Sequence, residues 1–358
     1  EGILALTVAV WEESADLRTA HDVLQLMQRQ LQSPLAAGDT LVIALAGPTQ
    51  GLQGKLTNGA LRVDLSGVEQ QYGLSCCLLL NDFTAQAFAT LTPAGIDARP
   101  VRGPVLSHAE YPQTKAILGA GTGLGAASLV CCAAAAGGER WLAVPSEAGH
   151  APFAFVGSEE HAYQSFLARE LGCSCPTVEN VLNGEGLSVL HYYLTGNFLY
   201  PPAVGERALS HDTPTIQWYA RFLARFCRQW ILSTLSRGGL WIAGGIAAKN
   251  RLCVEHPAFL QELAAGVDVG GVVAATPVLL ITDANSSLWG AARAVLEHQR
   301  LAARGQTGGD AVAHGLAQAV LKPQLAHVGD AHLRRFGAAG ALRQQMPGVA
   351  SGFGVVQA

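Results

Sequence analysis

The chain has 358 residues, of which 49% are hydrophobic and 14% charged, and a formal net charge of −4. That length accommodates two domains of ordinary size, and the apolar share fits large buried cores. The mildly acidic balance offers no broad basic field for nucleic acid, and no apolar run reaches the roughly 18 residues that suggest a membrane span.

The first apolar stretch, ILALTVAVW, lacks the basic flank and small-residue cleavage site of a signal peptide and reads as a strand. A cytoplasmic location is expected. LVIALAGPT (Leu41 to Thr49) and CCLLLND (Cys76 to Asp82) read as further buried strands, with the helix-spaced HDVLQLMQRQL between the first two. FTAQAFATL, after Asn81–Asp82, has helical spacing. This β-α-β alternation predicts an α/β lobe over residues 1–113.

A second α/β lobe is expected over residues 114–304. It opens with KAILGAGTGLGAASLV and continues through LAVPSEAGH and the helix-like EEHAYQSFLAREL. The span Ile216 to Leu235 reads as a long amphipathic helix, because Trp218, Phe222, Phe226 and Trp230 recur four apart as a core stripe. GLWIAGGI reads as a strand ending in Gly244–Gly245, VVAATPVLLITD as another strand, and SSLWGAARAVLEHQR as a helix. Beyond Arg304 the composition turns to Gly, Ala and Gln. Residues 305–358 read as an appendage with weak helical patches and no assigned role.

The eight cysteines are sparse for a disulfide scaffold. Cys76–Cys77 and Cys131–Cys132 lie in apolar runs and are expected to be buried thiols.

The glycine run Gly119, Gly121, Gly123 and Gly125 admits several readings. GTGLGA loosely satisfies a dinucleotide fingerprint, with Glu139 or Glu147 at the acidic position, but ASLVCC after it carries no helix-start signal. A Walker loop is excluded, since no Lys follows these glycines. A bare flexible turn is the plain alternative. The remaining reading is a strand–turn–strand hairpin whose backbone approaches a phosphate, with Thr122 supplying a hydroxyl and N–H groups forming a nest.

GAGTGLG also resembles the second phosphate loop of the bacterial glucokinase family. Other segments follow in that family's order. LLLNDFTAQAFA resembles the segment of the catalytic aspartate, VPSEAGHAPFAF the sugar-binding segment, and ENVLNGEGLSVLHYYL the glutamate-bearing segment. GGLWIAGGIAAKN is similar to the adenosine motif and DANSSLWGAARAV to the closing helix, while LTNGALRVD resembles a segment of the first lobe. The resemblance covers roughly residues 1 to 300. It implies a two-lobed actin/hexokinase-like (RNase H-like) ATPase fold with a ligand cleft between lobes, and ATP-dependent phosphorylation of a hexose, glucose foremost. ATP and Mg²⁺ are the implied cofactors. Homodimers are common in that family, although nothing in these residues shows one.

Residue by residue, the resemblance assigns Asp82 as the general base that takes the sugar hydroxyl's proton. Read locally, Asp82 serves equally well as a helix N-cap. Asn81, Glu147, His150 and Glu179 are the implied sugar ligands, since carboxylates, an amide and an imidazole match the donors and acceptors of a hexose. Gly119, Gly121, Thr122 and Gly123 are implied to hold phosphates, and Gly244 and Gly245 to make room for adenosine. No metal ligand is assigned. Gly149–His150 with Cys173 and Cys175 suggests the structural zinc of the related ROK proteins, but Pro176 to Leu182 lacks the further cysteine that such a site needs.

The chain departs from the family pattern in three places. Ala148 replaces a glycine, GCSCPTVE is about two residues longer than the family spacing, and no DxGGT occurs. EGILALTVAV resembles the strand that follows the DxGGT loop, so about 25 to 30 residues of the family layout are expected upstream of it. The alternative is a catalytically impaired sugar-binding or regulatory homologue. A nicotinamide-linked oxidoreductase rests on GTGLGA alone.

Overall fold

A computed structural model describes residues 5–13, 17–31, 34–57, 59–103, 113–133, 139–266, 269–305, 316–319 and 350–357. The first lobe begins with β1 (Ala5–Glu13), α1 (Ala20–Leu31) and β2 (Thr40–Leu45). A small antiparallel sheet follows, formed by β3 (Thr49–Gln50), β4 (Gln53–Lys55) and β5 (Arg62–Asp64). Then come α2 (Val68–Tyr72), β6 (Cys76–Asn81) and α3 (Asp82–Ala89).

Two short elements, α4 (Pro93–Ile96) and β7 (Arg99–Arg102), lead into the second lobe. It continues through β8 (Lys115–Ala120), β9 (Leu124–Ala133), β10 (Glu139–Ser146), α5 (Gly157–Leu171), α6 (Val178–Leu182), α7 (Gly184–Thr195), α8 (Pro201–Ala208) and α9 (Pro214–Thr234). After β11 (Leu240–Ala243) come α10 (Gly245–Lys249), α11 (Leu252–Glu255), α12 (Pro257–Ala264), α13 (Val272–Ala275), β12 (Val278–Leu280) and α14 (Ser286–Gly305). Two further strands, β13 (Leu316–Ala319) and β14 (Ala350–Gln357), complete the described chain.

The first sheet runs β1-β14-β13-β2-β6 and the second β10-β9-β8-β11-β12-β7. Parallel strands buried on both faces read as nearly continuous apolar runs, and β2, TLVIAL, is apolar from Leu41 to Leu45 and buried throughout. Side-chain alternation divides that strand between two cores. Leu41, Ile43 and Leu45 pack with Val23, Leu24 and Met27, while Val42 and Ala44 pack with Leu288, Ala291 and Val295 of α14. β8 divides in the same way. Ala116, Leu118 and Ala120 face the large core that holds Phe222 and Ile231 of α9, and Ile117 faces Phe83 and Trp241. Each such Leu or Ile contributes about 1.5–3 kcal/mol by burial.

The residues of α3 are buried on all sides, which places this helix between the lobes. Phe83, Ala87 and Phe88 join the core of the second sheet, and Ala85 joins the core beneath β2 and α14. The crossing with α14 is close: a Cβ at Gly290 would fall on the Ala85 carbonyl. Across the same contact the buried Gln86 side-chain amide donates to the Ser287 hydroxyl at 2.7 Å.

Several expectations change in detail. Residues 99–102, counted with the first lobe in the sequence, form β7 on the edge of the second sheet, antiparallel to β12. VVAATPVLLITD is a strand only over Val278–Leu280, because Val272–Ala275 is a helical turn. Beyond residue 305 the described residues are strands, not helical patches. β13 runs parallel to β2, and β14 runs antiparallel to both β13 and β1. The rest of residues 305–358 lies outside the described residues, apart from Gly305 at the end of α14. Among the described residues no single helix is long and apolar enough to cross a membrane.

Candidate active site

Asn81 ends β6 and caps α3, with its side-chain oxygen accepting from the backbone N–H groups of Phe83 at 2.9 Å and Thr84 at 3.3 Å. This resolves the local ambiguity at NDF. The capping falls to Asn81, and Asp82 stands at the first helical position, buried and lining the cleft. The Asn81 amide nitrogen also donates to the Gly47 carbonyl at 3.2 Å, tying the start of α3 to the loop after β2. Parallel pairing of β2 with β6, in register from Thr40↔Cys76 to Leu45↔Asn81, brings these two strand ends together.

Across the cleft, β8 and β9 form a hairpin, with Gly119 opposite Gly125 and Ala120 opposite Leu124. No helix springs from Gly125. A dinucleotide fingerprint requires one, so that reading fails. At the turn the Gly121 N–H is spent on the Gly123 carbonyl at 2.8 Å, and the Gly121 carbonyl accepts from Gly184 at 2.9 Å. The nest expected there is therefore smaller than the sequence suggests, because one of its donors is used internally. A side chain at Gly121 or Gly245 would meet no atom within 4 Å, so both face open cleft. Gly244 differs. Its φ of 89° is left-handed, and a Cβ would sit 2.8 Å from the Ala120 nitrogen, so only glycine lets β11 turn this close to the hairpin.

Glu147 and His150 flank a single 3-10 turn, Ala148–His150, directly after β10. Their side chains approach to 3.6 Å and stay 70% and 54% exposed, so the pair is weak and open to the cleft. Ala148, where the family has glycine, lies inside that turn, and Leu235 is the sole non-glycine residue with positive φ among those described. The substitution stores no backbone strain.

Glu179 sits in the first turn of α6, whose start is fixed by a capping box between Thr177 and Asn180. The longer Cys173–Pro176 segment leaves that start in place. Phe153 donates to the Pro176 carbonyl at 3.1 Å and Val178 to the Ala151 carbonyl at 2.9 Å, which pins α6 beside the Glu147–His150 turn. Glu179 Oε2 accepts from the Leu124 N–H at 2.7 Å. One carboxylate thus touches both the cleft and the hairpin.

All these residues line one cleft that encloses about 890 Å³, including its mouth. The structure gathers Asn81, Asp82, Glu147, His150, Glu179, Gly119, Gly121, Thr122, Gly123, Gly244 and Gly245 around it. Sequence reasoning gave no role to Gly47, Thr57, Phe83, Gly125 or Ser146, which also line it. LTNGALRVD carried a signal for Thr57, but only the bond from the Thr57 N–H to the Ala46 carbonyl at 3.0 Å, beside the end of β2, shows that this loop reaches the cleft that Asp82 lines.

Two side observations concern metals and thiols. Among the described residues no three His, Cys, Asp or Glu side chains are grouped closely enough to hold an ion. All eight cysteines are free, and burial pushes the Cys77 thiol up to about 12, the behaviour of an inert core group. At the base of β8, burial lowers the Lys115 ammonium below its usual range, and the rings of Trp141 and Trp241 hold it at 5.2 and 5.1 Å.

A sequence model of the family described as Glucokinase matches residues 7–298. A glucokinase of Caulobacter vibrioides is 31% identical over 296 residues, spanning 80% of this chain and 86% of that protein. One of Psychromonas ingrahamii is 30% identical over 259 residues, spanning 70% and 78%. Among solved structures, a glucokinase from an Antarctic psychrotroph has a TM-score of 0.64 at 23% identity, with 79% of this chain and 87% of that one covered. The Balamuthia mandrillaris glucokinase, solved in complex with glucose, has a TM-score of 0.61 at 20% identity, covering 76% and 81%. At these identities the structural likeness shows the fold, which is the two-lobed actin-like architecture.

Proposed function

Because the chain belongs to the glucokinase family, by a match over residues 7–298, we propose that it is an ATP-dependent hexose kinase acting on glucose to give glucose 6-phosphate. The observation that carries this reading is the convergence of Asp82, Glu147, His150 and Glu179 on one cleft with the glycine hairpin. Glucose fits between Asp82 on α3 and the three ligands of the second lobe. Its ring hydroxyls need both donors and acceptors, which two carboxylates, an imidazole and the second amide hydrogen of Asn81 provide.

The nucleotide phosphates fit along the Gly121–Gly123 turn and Gly245, where the missing side chains of Gly121 and Gly245 leave open space. When bound, ATP supplies the transferable phosphoryl group, and Mg²⁺ carried on its phosphates offsets their charge. No residue of this chain is assigned to that ion. The Asp82 carboxylate accepts the proton of the attacking sugar hydroxyl, and its burial between the lobes keeps competing water away. The reading places the enzyme in the cytoplasm, where eight unpaired cysteines remain reduced.

The test is an ADP-coupled assay with ATP and Mg²⁺ across glucose, mannose, fructose and N-acetylmannosamine. Phosphorylation with glucose preferred is expected. A chain whose melting temperature rises with NAD but not with ATP–Mg²⁺, and which phosphorylates none of the four, would overturn the assignment.

A further inference from the structure

The geometry points to Phe83 as a positioning residue. Its ring is seated in a slot made by Gly119 and Gly125, and it sets the distance between the Asp82 carboxylate and the phosphate hairpin. The inference rests on the kinase reading above and adds a part that the family's motifs do not assign.

Gly119 and Gly125 are direct cross-strand partners at the last rungs of the β8–β9 hairpin, just before its turn. A Cβ at Gly125 would lie 2.6 Å from the Phe83 Cγ and closer still to Cδ2 and Cε2. A Cβ at Gly119 would lie 3.0 Å from the ring's Cζ and 2.8 Å from the Ala243 carbonyl carbon. Real Cβ atoms essentially never approach so closely, so any side chain at either position displaces the ring or the strand. Of the four alternating glycines, Gly123 too has its vacant volume taken, since a Cβ would come within 2.9 Å of Glu179 Oε2. Gly121 alone opens onto empty cleft. The glycine run therefore has two jobs: Gly121 leaves room for a ligand, and Gly119 with Gly125 leaves room for a phenyl ring from the other lobe.

That ring belongs to the residue after the base. Asp82 and Phe83 occupy the first two positions of α3, and Asn81 holds the Phe83 backbone N–H at 2.9 Å. A path of rigid contacts runs from the carboxylate through one residue of helix to the buried ring, then into the strands that carry the turn. Phe83 is 7% exposed and packs with Ile117, Ala127, Trp241 and Ala243, so the ring has little room to shift. Phosphoryl transfer depends on alignment, and a displacement of about 1 Å costs about 100-fold in rate. The ring supplies that alignment through the strands on which it is seated.

The experiment compares the full chain with Phe83→Ala, Phe83→Leu, Gly125→Ala and the Phe83→Ala/Gly125→Ala pair. Turnover, the KM for glucose and for ATP, melting temperature and amide exchange over residues 116–129 are read for each. Phe83→Ala is expected to lower kcat about 100-fold with both KM values within about threefold, and Phe83→Leu to recover about tenfold of that loss. The methyl of Gly125→Ala should cost nothing further once the ring is gone, so the pair matches Phe83→Ala alone. Retention of kcat within about threefold in a folded Phe83→Ala, or two losses that simply multiply, overturns the inference. If Gly125→Ala does not fold, the kcat-against-KM split of Phe83→Leu decides. A wild-type chain with no hexose kinase activity is a failure of the functional reading alone. In that case faster exchange at Gly121–Gly125 in Phe83→Ala, about tenfold, still supports the seating of the ring, and unchanged exchange overturns it.

Discussion

The two walls of the cleft are built differently. On one, Asp82 stands on a helix buried on all sides, fastened by an N-cap, a crossing against α14 and a ring pressed into the hairpin. On the other, Glu147 and His150 project from a 3-10 turn with most of their side-chain surface in solvent. Under the proposed function, Asp82 as general base must be in place before the chemistry starts, because misalignment lowers the rate, and Glu147 and His150 are the sugar ligands. Sugar ligands can complete their geometry when the hydroxyls arrive. The contrast predicts that changes on the fixed wall alter turnover or stability, and changes on the open wall alter sugar affinity alone.

Asp82→Asn tests the fixed wall most severely. Amide for carboxylate keeps the volume and removes the proton acceptor, so kcat should fall about 10³- to 10⁴-fold while calorimetric glucose binding stays within a few fold. Undiminished turnover would remove Asp82 from the base role. On the open wall, Glu147→Gln and His150→Ala should each raise the glucose KM about 10- to 100-fold, with melting temperatures close to that of the parent. A large fall in melting temperature would show that this turn is structural. Glu179 joins the open wall to the glycine hairpin, since Oε2 holds the Leu124 N–H. Glu179→Ala should therefore raise the KM for glucose and for ATP together, each about tenfold. A change confined to glucose would separate the sugar contact from the hairpin.

Much of the cleft was legible because its chemistry is written in short runs. NDF, PSEAGH and GAGTGLG each place a functional group beside a strand end, and hydrophobic periodicity found those strands. The legible part stopped where residues meet only through the fold. Phe83 reads as an ordinary helix apolar residue, and Gly125 as one more turn glycine. Their shared slot appears only when α3 is laid across the β8–β9 rung. Hydropathy also reads VVAATPVLLITD as one continuous strand. Thr276, which closes the helical turn and whose hydroxyl donates to the Val272 carbonyl at 2.8 Å, divides it. The strands at 316–319 and 350–357 were missed for another reason. LAQA and ASGFGVVQ carry little local strand signal and gain it by pairing with β1 and β2.

The smallest expected effect discriminates most finely between the walls. Asn81 lines the cleft and could be taken for a sugar ligand of the same kind as Glu147, but its oxygen is committed to two backbone N–H groups and its nitrogen to Gly47. Asn81→Ala should cost about 1 kcal/mol of stability from the lost cap, a few degrees in melting temperature. Asn81→Asp should recover most of that cost, because a carboxylate caps as well as an amide oxygen does, yet it loses the donor to Gly47 and the remaining N–H. If Asn81 acts chiefly through α3, Asn81→Asp regains melting temperature and most of kcat. If it acts chiefly on the sugar, stability returns while the glucose KM stays high. The pair of variants thus shows whether a residue at the lip of the cleft belongs to the wall that is fixed or to the one that waits for substrate.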